Sequence, residues 1–136
     1  MAITGVSARR LAAEPLAVAG ASLVLAEWTA QASTGDELLL QAPLHKHPEA
    51  EAWYVLEGML RIRAGEDVHE VSKGGAVVIP GGTAHTFWNP QPVPARYLLI
   101  MGTQTFALLQ AIHAARDREQ ASMHALYASY GATLLE

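Results

Sequence analysis

From Trp53 to Gly102 the chain never runs far without a turn signal. Glu57-Gly58, Ala64-Gly65-Glu66-Asp67, Lys73-Gly74-Gly75, Pro80-Gly81-Gly82 and Asn89-Pro90 punctuate it. Between these signals lie short runs rich in β-branched and aromatic residues, and Met59 to Arg63 alternates apolar with polar as a half-buried strand does. The pattern predicts strands over Trp53 to Leu56, Met59 to Arg63, a short run ending at Val71, Ala76 to Ile79, Ala84 to Trp88 and Ala95 to Met101. Glu57-Gly58 reads as a tight hairpin turn. Upstream, Ser22 to Ala30 and Leu38 to Leu44 read as two more strands, with Thr34-Gly35-Asp36 as a turn between them. Ala8 to Ala13 offers a short helical turn before Pro15, or a docked arm. Short strands with regular turns indicate a sandwich or barrel.

After Gly102 the pattern changes. Thr105 to Tyr130 contains neither Gly nor Pro, and its apolar spacing is helical. Met123, Leu126, Tyr127 and Tyr130 fall at i, i+3, i+4 and i+7, and Phe106, Leu109 and Ile112 begin a similar stripe. The charged patch Arg116 to Glu119 separates two helices, Asp117 with Gln120 suits an N-cap pair, and Gly131 is a natural stop. The chain reads as one domain of 136 residues, a barrel over about 16–102 followed by helices over about 104–131. The helical tail is expected to be a structural cover or a dimer element rather than a substrate lid.

Composition narrows the classes. With no cysteine, disulfides, zinc–thiolate sites and cysteine nucleophiles are excluded. A formal charge of −4 without a Lys/Arg cluster argues against nucleic acid as a partner. No uninterrupted apolar run approaches the roughly 20 residues of a membrane span. Arg9, Arg10 and Glu14 interrupt the N-terminal stretch before a signal sequence could form, so a cytoplasmic location is expected. Hydrophobic residues make up 51% of the chain and charged ones 16%, which suggests apolar surface covered by a second copy, a homodimer.

The chemistry concentrates in residues 45 to 58. On an extended strand, residues two apart share a face, so His45 and His47 can aim both imidazoles at one point. Glu51, beyond a bend at Pro48, can return to that point from the next strand. Two neutral imidazoles and a carboxylate form a site for a first-row divalent metal.

Here the sequence resembles the cupin superfamily. The first cupin motif ends in His, any residue, His, three or four residues, Glu, six residues, Gly, matched by His45, His47, Glu51 and Gly58. The second runs Gly, five residues, Pro, one residue, Gly, two residues, His, three residues, Asn, matched by Gly74, Pro80, Gly82, His85 and Asn89. One position departs: Leu39 stands where the first motif usually opens with glycine, which bears on the bend before the second strand and not on the ligands.

The resemblance implies a double-stranded β-helix, a small all-β jelly-roll barrel. It implies His45, His47, Glu51 and His85 as ligands of one divalent transition metal: Fe, Mn, Ni, Co or Zn. Four such ligands leave about two positions on an octahedral ion for water, substrate or dioxygen. The barrel with its helical tail looks like bacterial cupins often labelled quercetinase-like. The expected function is a small metal-dependent enzyme of dioxygenase type acting on an organic small molecule, with Glu51 able to serve as a catalytic base. A small-molecule-binding or sensor protein and a metal-dependent isomerase or lyase are the alternatives.

Strand alternation extends the site. If Glu51 points inward, Trp53 and Val55 do too; from His85, Phe87 faces the pocket and Trp88 the opposite side. Trp53 and Phe87 are therefore the candidate substrate contacts. Glu49 is expected to be a solvated rim charge, Asn89 a turn or strand-end residue, and His69, His113 and His124 surface or capping histidines.

Overall fold

The computed structural model describes residues 6–11, 14–33 and 38–136. The expected turn at Thr34-Gly35-Asp36 lies outside the described residues, as do positions 12 and 13 of the expected N-terminal turn; residues 8–11 are irregular rather than helical.

Among the described residues, ten strands and two helices follow one another as β1 (Leu16–Ala17), β2 (Leu23–Ala30), β3 (Leu40–Lys46), β4 (Glu51–Glu57), β5 (Met59–Ala64), β6 (Asp67–Ser72), β7 (Ala76–Ile79), β8 (His85–Trp88), β9 (Ala95–Gly102), α1 (Thr103–Ala114), α2 (Gln120–Ser129) and β10 (Thr133–Leu134). The strands form two five-stranded sheets, ordered β1-β2-β9-β4-β7 and β10-β3-β8-β5-β6. Every pairing is antiparallel. Strand rhythm predicts a sandwich or barrel, and this is the jelly-roll barrel that the resemblance implies.

Alternation builds the core. Glu51, Trp53 and Val55 of β4 point between the sheets, as do Tyr97, Leu99 and Met101 of β9 and Leu60 and Ile62 of β5. Arg61 and Arg63, at the intervening positions, stay in water. Burying one large apolar side chain stabilises the fold by about 1.5–3 kcal/mol, so the inner faces are its main source of stability.

The expected hairpin at Glu57-Gly58 is not one. β4 pairs with β7 and β9, whereas β5 pairs with β6 and β8, so the chain changes sheets at Gly58. Gly58 has a φ of 80°, and a Cβ there would lie 3.0 Å from the Ala95 Cβ. Glycine supplies both the left-handed backbone and the close approach that this corner requires. A sequence cannot separate this corner from a hairpin, because both call for glycine after a strand.

Two short strands escape the periodicity. β1 pairs with β2, and β10 pairs with β3, setting Leu134 opposite His45. Two-residue strands have too few positions to show alternation. At the second helix, Asp117 is not the N-cap. The cap position is Glu119, and the Asp117 carboxylate accepts from the Glu119 N–H (3.0 Å) and the Ser122 hydroxyl (2.6 Å). Gly131, with a φ of 75°, does end the helical tail, and its N–H donates to the Ala128 carbonyl.

Candidate metal centre

The site sits between the sheets. His45 on β3 lies directly opposite His85 on β8 in one sheet, while Glu51 enters from β4 of the other. His47 follows β3 immediately. The register between β3 and β8 is irregular from Leu40 to His45, the stretch that holds Pro43. Proline has no N–H for the ladder, so strands carry it at such irregularities. The Pro80 to Gly82 turn then packs on the bend after His47. The Gly82 N–H donates to the His47 carbonyl (2.8 Å), and a Cβ on Gly81 would collide with the Pro48 carbonyl.

Each imidazole is held through Nδ1. The carbonyl partners are Pro43 for His45 (2.7 Å), Glu49 for His47 (2.8 Å) and Thr83 for His85 (2.8 Å). A carbonyl only accepts, so each Nδ1 carries its proton and each neutral ring turns an Nε2 lone pair toward the others. Ring nitrogens of the three buried histidines lie within 4.8 Å of one another. Glu51 Oε1 stands 3.3 Å from His47 Nε2 and 3.1 Å from His85 Nε2.

A carboxylate oxygen this close to two nitrogen lone pairs requires a positive charge among them. The metal-free protein can supply only a proton. Burial works against protonation of His47, yet the hydrogen-bonded Glu51 carboxylate outweighs it and raises the His47 pKa above 6.5. His45, buried and beside the other two rings, is depressed to about 4. Burial alone would raise Glu51; its hydrogen bonds with His47 and His85 bring it down to about 2, so it is ionised. A divalent cation serves all these groups together. Three imidazoles whose far nitrogens are fixed by carbonyls, with a carboxylate beside them, fit a first-row divalent ion, and the three histidines could hold one.

Next to the centre lies a cavity of about 290 Å³. His45, His47 and Glu51 form its floor, Phe87, Tyr97 and Leu99 part of its wall, and both helices its roof. Phe87 therefore lies where alternation directs it. Trp53 is buried and packs edge-on against His85 and Phe87 (ring centroids 5.7 and 5.4 Å), behind the wall and not on the cavity surface.

Several contributors are invisible to motif spacing. The cavity face of α1 is Thr105, Leu108, Leu109 and Ile112, at i, i+3, i+4 and i+7, with His113 beside them, so Phe106 of the expected stripe is off that face. Tyr127 of α2 is buried with its ring edge-on to His45 at 5.7 Å. Glu49 is not a solvated rim charge. Its carboxylate accepts from the Thr105 N–H (2.7 Å) and hydroxyl (2.8 Å) in the first turn of α1, in space that Gly102 leaves free. One residue thus holds His47 through its carbonyl and the roof helix through its side chain. Asn89 is fully buried and ties the loop after β8, its Nδ2 donating to Val93 (2.6 Å) and Ala30 (3.3 Å) carbonyls and its Oδ1 accepting from the Gln91 N–H (2.9 Å). His69 is exposed, His124 lies 2.6 Å from the Glu136 carbonyl through Nε2, and His113, though exposed, is more than a surface histidine: it lines the cavity with its ring edge-on to Trp28 (centroids 6.1 Å).

A two-sheet antiparallel barrel with a histidine cluster between its sheets defines a class of small β-barrel proteins with an internal metal-type site. Residues 40–101 match the family model of the cupin domain, so the barrel carries a cupin domain. A mannose-1-phosphate guanylyltransferase of Salmonella muenchen is 36% identical over 59 residues, which is 43% of this chain but 12% of that protein. A cupin protein from Bacteroides fragilis superposes with a TM-score of 0.57 at 17% identity, covering 71% of this chain and 80% of the other. A mutant salicylate 1,2-dioxygenase from Pseudoaminobacter salicylatoxidans gives 0.54 at 17% identity, covering 65% of this chain and 25% of the other. At such identities the two structural likenesses speak to the fold. No helix among the described residues is long and apolar enough to cross a membrane.

Proposed function

We propose that this cupin is a metal-dependent enzyme of dioxygenase type acting on an organic small molecule. The observation that carries the reading is the set of three Nδ1–carbonyl bonds, which turn three Nε2 atoms toward one point on the floor of a cavity. His45, His47, Glu51 and His85 hold one divalent ion. Bound there, the ion supplies Lewis acidity and, if it is Fe, Mn, Ni or Co, electron exchange with dioxygen. The chain supplies the rest. The cavity walls limit water, Phe87 orients the substrate body, and Glu51 is the carboxylate on the cavity floor, which can serve as a base once its hold on the histidines loosens.

The test is metal content by mass spectrometry on tag-free protein purified without chelator, followed by oxygen uptake with acetylacetone or a flavonol. Stoichiometric Fe, Mn, Ni or Co with uptake supports the reading. Conversion without oxygen transfers it to an isomerase or lyase, and binding without turnover to a sensor.

We also infer a homodimer through the outer face of the first sheet. Leu25, Ile100, Ala52 and Val78 form an apolar row across it, with Leu23 and Tyr54 beside them. Val78 is 72% exposed, Leu23 61% and Tyr54 40%. Light scattering at micromolar concentration checks this: wild type at twice the chain mass, and Val78→Glu with Tyr54→Glu shifted to the monomer.

A further inference from the structure

Resting on that reading of the site, we propose that the substrate is a small phosphate-free molecule: one ring or a short branched chain, with an oxygen-bearing end directed at the metal centre and an apolar body held by α1. Three observations carry this.

The first is charge. The chain has nine Lys and Arg residues, all at described positions, and none lines the cavity. Lys46, between the two ligand histidines, is exposed on the opposite face of β3. Arg61 is paired with Glu70, Arg96 lies by Glu27 and Glu57, and Arg118 donates to the Ile112 carbonyl at the end of α1. Glu51 is the one carboxylate in the lining among the described residues. A substrate reacting at the floor would direct its far end to the roof. A phosphate there would meet no lysine or arginine, and the lone exposed imidazole of His113 at the end of α1 does not supply the several charged donors that grip a phosphate.

The second is the roof itself. Leu108, Leu109 and Ile112 of α1 face Trp28 and Ala42 of the barrel, an apolar cradle for an apolar body. The polar groups Thr29, Gln41 and Thr105 add hydrogen bonds, and His113, edge-on to Trp28 (ring centroids 6.1 Å), lines the same space. The third is size. About 290 Å³ is at the lower limit of the ~300–1,000 Å³ usual for sites that take drug-sized ligands, which favours a compact substrate over a three-ring one.

The experiment is calorimetric titration of the metal-loaded protein with catechol, quercetin and glucose-6-phosphate. Catechol is expected to bind saturably, with quercetin at least about tenfold weaker and glucose-6-phosphate at least about a hundredfold weaker. Leu109→Trp, which fills the roof, should weaken catechol about tenfold with metal content unchanged. Should that variant fail to fold, Ile112→Ala enlarges the cradle and should narrow the gap between quercetin and catechol. Glucose-6-phosphate binding as tightly as catechol, no catechol binding, or no response to either roof variant overturns the proposal. Oxygen uptake separates the two readings. Uptake with a phosphorylated sugar alone overturns this inference and keeps the enzyme class, whereas the expected binding order without uptake does the reverse.

Discussion

The floor and the roof of the cavity are built differently. The floor hangs on backbone. Three histidines are oriented by main-chain carbonyls, two of them face each other across one ladder, and the turn at Gly81-Gly82 is packed on the bend after His47. The roof hangs on side chains and on a short strand. Glu49 caps α1, Gln104 Nε2 donates to the Tyr130 carbonyl (2.7 Å), Tyr127 packs on His45, and β10 pairs with β3. The floor can therefore keep its geometry while the roof changes. On the proposed function, metal chemistry would belong to the part whose backbone is fixed, and substrate choice to the part carried by exchangeable side chains.

The largest expected effect is at the floor. His85→Ala removes one of three convergent nitrogens and leaves Glu51 with one imidazole partner, so it should lose most bound metal by mass spectrometry. Retention of stoichiometric metal would show that the floor does not act as a unit. Gly81→Ala is next. Its Cβ would strike the Pro48 carbonyl, and backbone cannot swing aside as a side-chain tip can. We expect about 2–3 kcal/mol of lost stability, roughly a 10 °C drop in melting temperature, with weaker metal binding because the His47 bend must shift.

Acid should also act on the floor. In metal-free protein the His45 pKa is depressed from 6.5 to about 4, chiefly by burial. As pH falls the unfolded chain takes up the proton first. The stability preserved by the neutral His45 ring is whole above pH 6.5 and is lost as pH falls toward about 4. His47 runs the other way: its raised pKa gives stability that is present at low pH and lost as pH rises. His45→Gln should therefore flatten the acid decline of melting temperature across that window. Parallel declines in variant and wild type would show that this burial does not govern acid stability.

The same division explains what the sequence discloses. Strand alternation placed Trp53, Val55 and Phe87 on inner faces, because a pleated strand between two sheets has two directions to choose from. The histidine spacing was legible because the chemistry needs those residue types two apart on one strand. Glu49 was not legible. Its partner, Thr105, is far along the chain, and a glutamate next to a proline bend looks the same whether water or a helix end receives it. Trp53 marks the limit of alternation, which distinguishes inside from outside but not cavity wall from the layer behind it. The sheet change at Gly58 was hidden because local signals specify a turn and not the strands that it joins.

The smallest expected effect lies at the junction of the two regions. Glu49 reaches both, but by different groups: the carbonyl that orients His47 is main chain, and the carboxylate that caps α1 is side chain. Glu49→Ala keeps the first and removes the second. It leaves the Thr105 N–H and hydroxyl without their acceptor at a helix start, a loss worth about 1 kcal/mol. Melting temperature should fall by roughly 3–5 °C, a small change beside Gly81→Ala. Metal content should stay at the wild-type level, whereas amide exchange over α1 should quicken, because the first turn loses its anchor while the barrel ladder is untouched. If Glu49→Ala instead releases the metal, the carboxylate positions His47 as well, and floor and roof are one cooperative unit.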